Sequence, residues 1–200
     1  NRGFGMQSQV ARDVKINELL HRDYKKPPRY ALNIVPKAGD TYGDSYVRLC
    51  TWIGNQPDAL KQEIAHLRFP IFVHCFLGLL VQASNGGDRE APAQFLKKHV
   101  PEHAAMNQPE KKKQLEQLIP LASTAALADS PLAKLYFTQR ISWTCSQASF
   151  EAVTNFLVDE QLYLLLRVLM LYFNIHAVRR DPPPPVETAN GTPPEGTAAT

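Results

Sequence analysis

Apolar positions set a clear rhythm from Asp44 onward. Tyr46, Leu49, Cys50 and Ile53 recur at i, i+3, i+4 and i+7, which puts them on one helical face. Gly54 and Asn55 end that stripe, and Pro57 stands where a first-turn proline of the next helix belongs. Leu60, Ile64 and Leu67 repeat the stripe. After Phe69-Pro70 the polar positions nearly vanish, and Ile71–Leu80 reads IFVHCFLGLL. A soluble domain has use for a helix apolar on all sides only at its centre. The residue before a proline avoids helical geometry, so the pattern predicts a break at Pro70 and a separate central helix over Ile71–Ala83. Asn85-Gly86-Gly87 tolerates positive φ and stops it.

Proline punctuates the middle of the chain. Ala93–His99 reads as a short helix ended by Pro101. Pro109 opens another, with Lys111-Lys112-Lys113 on one side, Leu115, Leu118 and Ile119 on the other, and Pro120 at its end. Ser130-Pro131 reads as an N-cap with a first-turn proline. Leu135–Ser142 fits either a turn of helix or an extended piece. Ser149 is expected to cap a helix with Phe150, Val153 and Leu157 inward, and Asp159 to cap a last one from Glu160 to about His176. Short connections and no convincing run of strands predict an all-α fold, a compact single-domain bundle of about eight helices.

The flanks differ. Residues 1–43 are weakly patterned, with a short helix expected over Gln9–Arg22 and an interruption at Lys25-Lys26-Pro27-Pro28. They are expected to form an irregular arm that packs on the domain at 44–180. Residues 181–200 are rich in proline, glycine, threonine and alanine, and read as a disordered linker or tail. The chain begins at Asn1 rather than Met, so it is expected to be part of something longer.

Composition narrows the function classes. The 22 lysines and arginines are nearly matched by 19 acidic residues, so no strongly basic nucleic-acid-binding face is expected. Cys50, Cys75 and Cys145 are odd in number and far apart, which argues against a disulfide framework or a zinc site and for a reducing compartment. Leu162–Ile175 contains Arg167 and is too short to span a bilayer, which needs about 20 apolar residues, so no membrane partner is expected.

Candidate chemistry is sparse. His99 and His103 are four apart, but Pro101 lies between them and no third ligand is evident, so they read as a surface helix end rather than a metal site. His74 lies in the most apolar segment and reads as a buried imidazole satisfied by a hydrogen bond. Asn85-Gly86-Gly87-Asp88 lacks the spacing of a phosphate cradle. Lys111–Lys113 reads as a solvated face. Pro182–Pro185 fits an SH3 or WW ligand or a plain linker, and Asn190-Gly191-Thr192 matters only in a secreted protein. Trp52 reads as core; Trp143 fits core or interface. No catalytic, cofactor-binding or metal constellation emerges.

One resemblance says more. The residues Tyr46–Leu49, Trp52-Ile53, Lys61, Glu63, Leu67 and Phe69–Leu77 (FPIFVHCFL) resemble the helical N-terminal domain of TATA-binding-protein-associated factor five. Weaker similarity continues through Ala93–His99, Phe137–Ser142 and Ser149-Phe150 to the apolar helix near His176, covering about Asp44 to Val178. Members of that family usually carry an upstream LisH motif, which is not recognisable in residues 1–43, and a C-terminal WD-repeat propeller, toward which the proline-rich tail would lead. Pro101–Pro131 diverges from the family.

The resemblance implies a nuclear, non-enzymatic scaffold domain of the transcription complexes TFIID and SAGA. It implies histone-fold subunits as partners, with weak homodimerisation as a further property and no cofactor. On this reading Tyr46, Leu49, Trp52, Phe69, Pro70, Phe72, Val73, His74, Phe76 and Leu77 are the structural core of the family motif, with Phe69-Pro70 setting the angle between two helices. The alternative is a basic helical module that binds nucleic acid through Lys97-Lys98, Lys111–Lys113 and Arg179-Arg180.

Overall fold

One helix of 27 residues runs through the middle of the domain. The computed structural model describes residues 41–105, 108–122 and 127–178. The expected helix over Gln9–Arg22, the proline-rich tail and Arg179-Arg180 lie outside them.

Helix α1, Tyr42–Gly54, starts where the Thr41 hydroxyl accepts the Asp44 amide at 3.1 Å. Tyr46, Leu49 and Ile53 are buried as their spacing predicts, and Cys50 is half-buried beside them. Helix α2, Asp58–Ser84, corrects the expected break, because it continues straight through Pro70. Phe69-Pro70 therefore sets no angle between two helices. Pro70 has no N–H for the His66 carbonyl, but His66 is exposed and water can reach that acceptor. An interior proline costs about 3 kcal/mol or more. The seven consecutive buried residues Ile71–Leu77 offset it, at roughly 1.5–3 kcal/mol for each large apolar side chain. The predicted stop is present: Gly86 has φ +94°, and the Gly87 amide bonds back to the Gln82 carbonyl at 2.9 Å.

Helix α3, Ala91–Ala104, likewise runs through Pro101 rather than ending there. The carbonyl freed by Pro101 belongs to exposed Lys97. Helix α4, Pro109–Leu118, buries Leu115 and Leu118. Ile119, expected on the same inner face, is 54% exposed because the chain tightens into a 3₁₀ turn over Ile119–Ala122. A second 3₁₀ turn, Leu127–Asp129, leads to α5, Pro131–Thr138, which Ser130 caps as predicted.

The last third departs most from expectation. Ile141–Ser146 is a strand, β1. Helix α6, Gln147–Asp159, is capped by Ser146, not Ser149, and Asp159 ends this helix rather than capping the next. Helix α7 is only Tyr163–Tyr172, and Phe173–Val178 is a second strand, β2, where helix was expected to His176. The strands pair in parallel, Ile141 opposite Phe173 through Ser146 opposite Val178. Parallel pairing needs a long crossover, which α6 and α7 supply. The fold remains all-α, with seven α-helices and this one strand pair among the described residues. Helix α2 packs against α1, α3, α5, α6, α7 and β1, so the core is built around it. It is also the one described helix long and apolar enough to cross a membrane, yet 67% of its most apolar window is buried inside the domain.

Candidate functional site

The residues with chemical potential lie mostly indoors. Tyr46, on α1, joins His103, on α3, by a 2.7 Å hydrogen bond between Oη and Nε2. Both side chains are enclosed, at 0% and 2% exposure, so the pair does not meet solvent. Phe69, Phe72, Phe95 and His99 pack around them, with the His99 ring edge-on to Tyr46 at 5.0 Å. Burial holds the Tyr46 phenol well above its usual range and lowers His103 to about 4, with Arg68 and Lys111 adding to the lowering. The two histidines are therefore core residues, which corrects their reading as a surface helix end. They share one helix because Pro101 does not break it. Among the described residues, no group of three or more His, Cys, Asp or Glu is placed to hold a metal ion.

His74 sits on the opposite side of the aromatic core. Its ring stacks on Tyr172 at 4.3 Å and meets Tyr136 edge-on at 5.2 Å. Burial lowers it to about 3, so it stays neutral. Its Nε2 has no hydrogen-bond partner, which corrects the expectation of a satisfied imidazole; ring stacking holds it instead. Of the other motif residues, Leu49, Phe69, Phe72, Val73, Phe76 and Leu77 are buried. Trp52 is half-buried and stacks on Phe156 at 4.5 Å, and Pro70 is half-buried in α2.

A polar clamp went unread in the sequence. Glu63, on α2, accepts the Ser146 amide at 2.7 Å and the Ser149 hydroxyl at 2.6 Å. The Trp143 indole donates to the Glu63 main-chain carbonyl at 3.2 Å. Ser146 in turn accepts the Ser149 amide, which starts α6. One carboxylate thus ties α2 to the end of β1 and to the N-terminus of α6, where the helix dipole favours negative charge. The readable signal was its phase: Glu63 and Leu67 are four apart, on the inward side. Trp143, which fitted core or interface, is buried in the core. Cys145 lies nearby, and burial and Glu63 push its thiol up to about 12.

Outside, charge is scattered. Arg68 donates to Glu102 at 3.1 Å and links α2 to α3. Lys112 and Lys113 are exposed, whereas Lys111 is half-buried with its ammonium 5.4 Å from the Phe69 ring centroid. The expected solvated face is therefore two lysines wide.

Comparison with known proteins places this arrangement. The SAGA complex/transcription factor TFIID complex subunit Taf5 of Schizosaccharomyces pombe is 25% identical over 150 residues, 74% of this chain and 22% of its own length. Transcription initiation factor TFIID subunit 5 of Arabidopsis thaliana is 24% identical over 144 residues, 70% of this chain and 20% of its own length. The chain thus spans about a fifth of the length of the curated relatives it matches. The crystal structure of the Encephalitozoon cuniculi TAF5 N-terminal domain superposes with a TM-score of 0.60 at 21% identity, over 69% of this chain and 99% of that one. It shares the helical fold. The family described as "WD40 associated region in TFIID subunit, NTD2 domain" matches residues 37–173, which is more than half of the chain, and the chain belongs to that family.

Proposed function

We propose that this chain is the non-catalytic scaffold part of a nuclear subunit of a general transcription initiation complex, TFIID, or of the SAGA coactivator. It holds histone-fold subunits in place through its outer surface. The observation that carries the reading is the family match over residues 37–173, which spans α1 to the start of β2. The buried polar groups support it, because Tyr46–His103 and Glu63–Ser149 bind elements of the domain to one another. Such groups serve a rigid platform rather than a reacting substrate. In this reading the arm ends at residue 40, because Thr41 already caps α1, which corrects the expected boundary at 43, and residues 181–200 form a linker.

The test is affinity purification of the tagged full-length protein from nuclei. Histone-fold subunits of TFIID or SAGA are expected among the recovered proteins. Recovery with no component of either complex would sink the proposal.

A further inference from the structure

Strands β1 and β2 form a parallel pair with no third strand among the described residues. Parallel sheets are almost always covered on both faces. Here one face is covered, since Trp143, Cys145, Phe173 and Ile175 are buried against the domain. The other face presents Ser142, Thr144, His176 and Val178, all exposed, with Asn174 half-buried among them. The two edges differ as well. Helix α2 takes the β1 edge, where the Glu63 carboxylate accepts the Ser146 amide at 2.7 Å and the Glu63 carbonyl accepts the Trp143 indole at 3.2 Å. Strand β2 packs chiefly on β1, α6 and α7. In a two-stranded ladder, alternate residues of each strand turn their amide and carbonyl away from the partner. From Phe173–Val178, no hydrogen bond of that outward row reaches another described residue.

We infer that the outer edge of β2 receives an extended strand of a protein partner, as the third strand of this sheet. A row of peptide groups at strand spacing is matched by another extended backbone, which supplies a donor or acceptor for each. The sequence after Val178 offers no such strand, because Pro182–Pro185 lack amide donors. Side chains set the rest of the partner's chemistry. Phe137, 40% exposed, lies 6.1 Å ring to ring from half-buried Tyr172, at the end where both strands begin. Val178, 51% exposed, marks the other end. Apolar side chains therefore suit both ends of the incoming strand. Strands β1 and β2 contain no acidic residue, and Arg179-Arg180 come next in the sequence, so the edge favours a strand that carries carboxylates. The inference is independent of the assembly proposed above.

The test adds to the 200-residue chain a synthetic peptide of about eight residues that alternates valine with threonine and glutamate. At about millimolar peptide, amide exchange in β2 is expected to slow about tenfold or more, while α1 stays unchanged. Two control peptides carry N-methyl groups on the amides of one edge or of the other. One is expected to bind about tenfold or more weakly and the other to bind like the parent, because a strand pairs along a single edge. A His176→Glu, Val178→Glu variant changes only exposed side chains; it is expected to melt like the unaltered chain and to bind the peptide about tenfold or more weakly. Unchanged exchange in β2, or equal binding of the two methylated peptides, would overturn the inference. So would slow exchange of every β2 amide before peptide is added. That result would assign the edge to a second copy if protection falls on dilution, and to the chain's own residues if it does not.

Discussion

The ring of Tyr42 lies on Gly78 so closely that a Cβ at Gly78 would stand 2.5 Å from Cε2 and 2.6 Å from Cζ. This contact seats the first turn of α1 on the apolar C-terminal half of α2. Alanine favours a helix over glycine by roughly 1 kcal/mol, whereas overpacking costs about 1–3 kcal/mol. Gly78→Ala is therefore expected to destabilise the domain by about 1 kcal/mol in urea unfolding. In a Tyr42→Ala background the clash is gone, and the same change is expected to stabilise by about 0.5–1 kcal/mol. The reversal of sign is the measurement that checks the contact.

Glu63 carries more than its half-buried position suggests. Removing it leaves the Ser146 amide and the Ser149 hydroxyl without their acceptor. Hydrogen bonds to a charged group contribute about 1.5–3 kcal/mol, so Glu63→Ala is expected to lose about 2–3 kcal/mol. Glu63→Gln keeps an acceptor oxygen and is expected to recover about half of that. Unfolding of the two variants side by side checks the order. Equal stability of both with the unaltered protein would remove the clamp from the account.

Acid sensitivity follows from the buried imidazoles. Burial lowers His74 to about 3 and His103 to about 4, from 6.5 in the unfolded chain. Below pH 6.5 the unfolded chain takes up protons that the folded one refuses. Their contribution to stability is therefore complete above about pH 6.5 and is lost as pH falls, down to about 4 for His103 and about 3 for His74. Each group can cost up to about 1.4 kcal/mol per pH unit inside that window. The unfolding free energy is expected to drop by about 2 kcal/mol between pH 6.5 and 5.5, above most carboxylate titration. A flat profile over that interval would mean the two rings are not enclosed.

The sequence carried the helical core better than its limits. Tyr46, Leu49 and Ile53 could be placed by spacing alone, and Asn85-Gly86-Gly87 correctly marks the end of α2. Pro70 and Pro101 misled because proline rules describe local cost, and tertiary packing exceeds it, through Ile71–Leu77 for Pro70 and through Phe95, Leu96, His99 and His103 for Pro101. β2 was hidden because FNIHAV continues an apolar helix without a breaker. Its alternation, Phe173 and Ile175 inward with Asn174 and His176 less buried between them, is the signal that length obscured. The Tyr46–His103 and Glu63–Ser149 pairs join residues 57 and 86 positions apart, and nothing in local pattern specifies such partners. The outer surface was least legible of all, since docking faces have no required period.

The most direct measurement is stoichiometric reconstitution of this 200-residue chain with purified histone-fold pairs of TFIID, followed by size-exclusion chromatography at moderate salt. The scaffold account predicts a stable co-eluting complex that survives Lys112→Glu, Lys113→Glu substitution and added competitor DNA. Separate elution from every histone-fold pair, together with salt-sensitive binding of the chain to DNA that those substitutions abolish, would contradict it and favour a nucleic-acid-binding module.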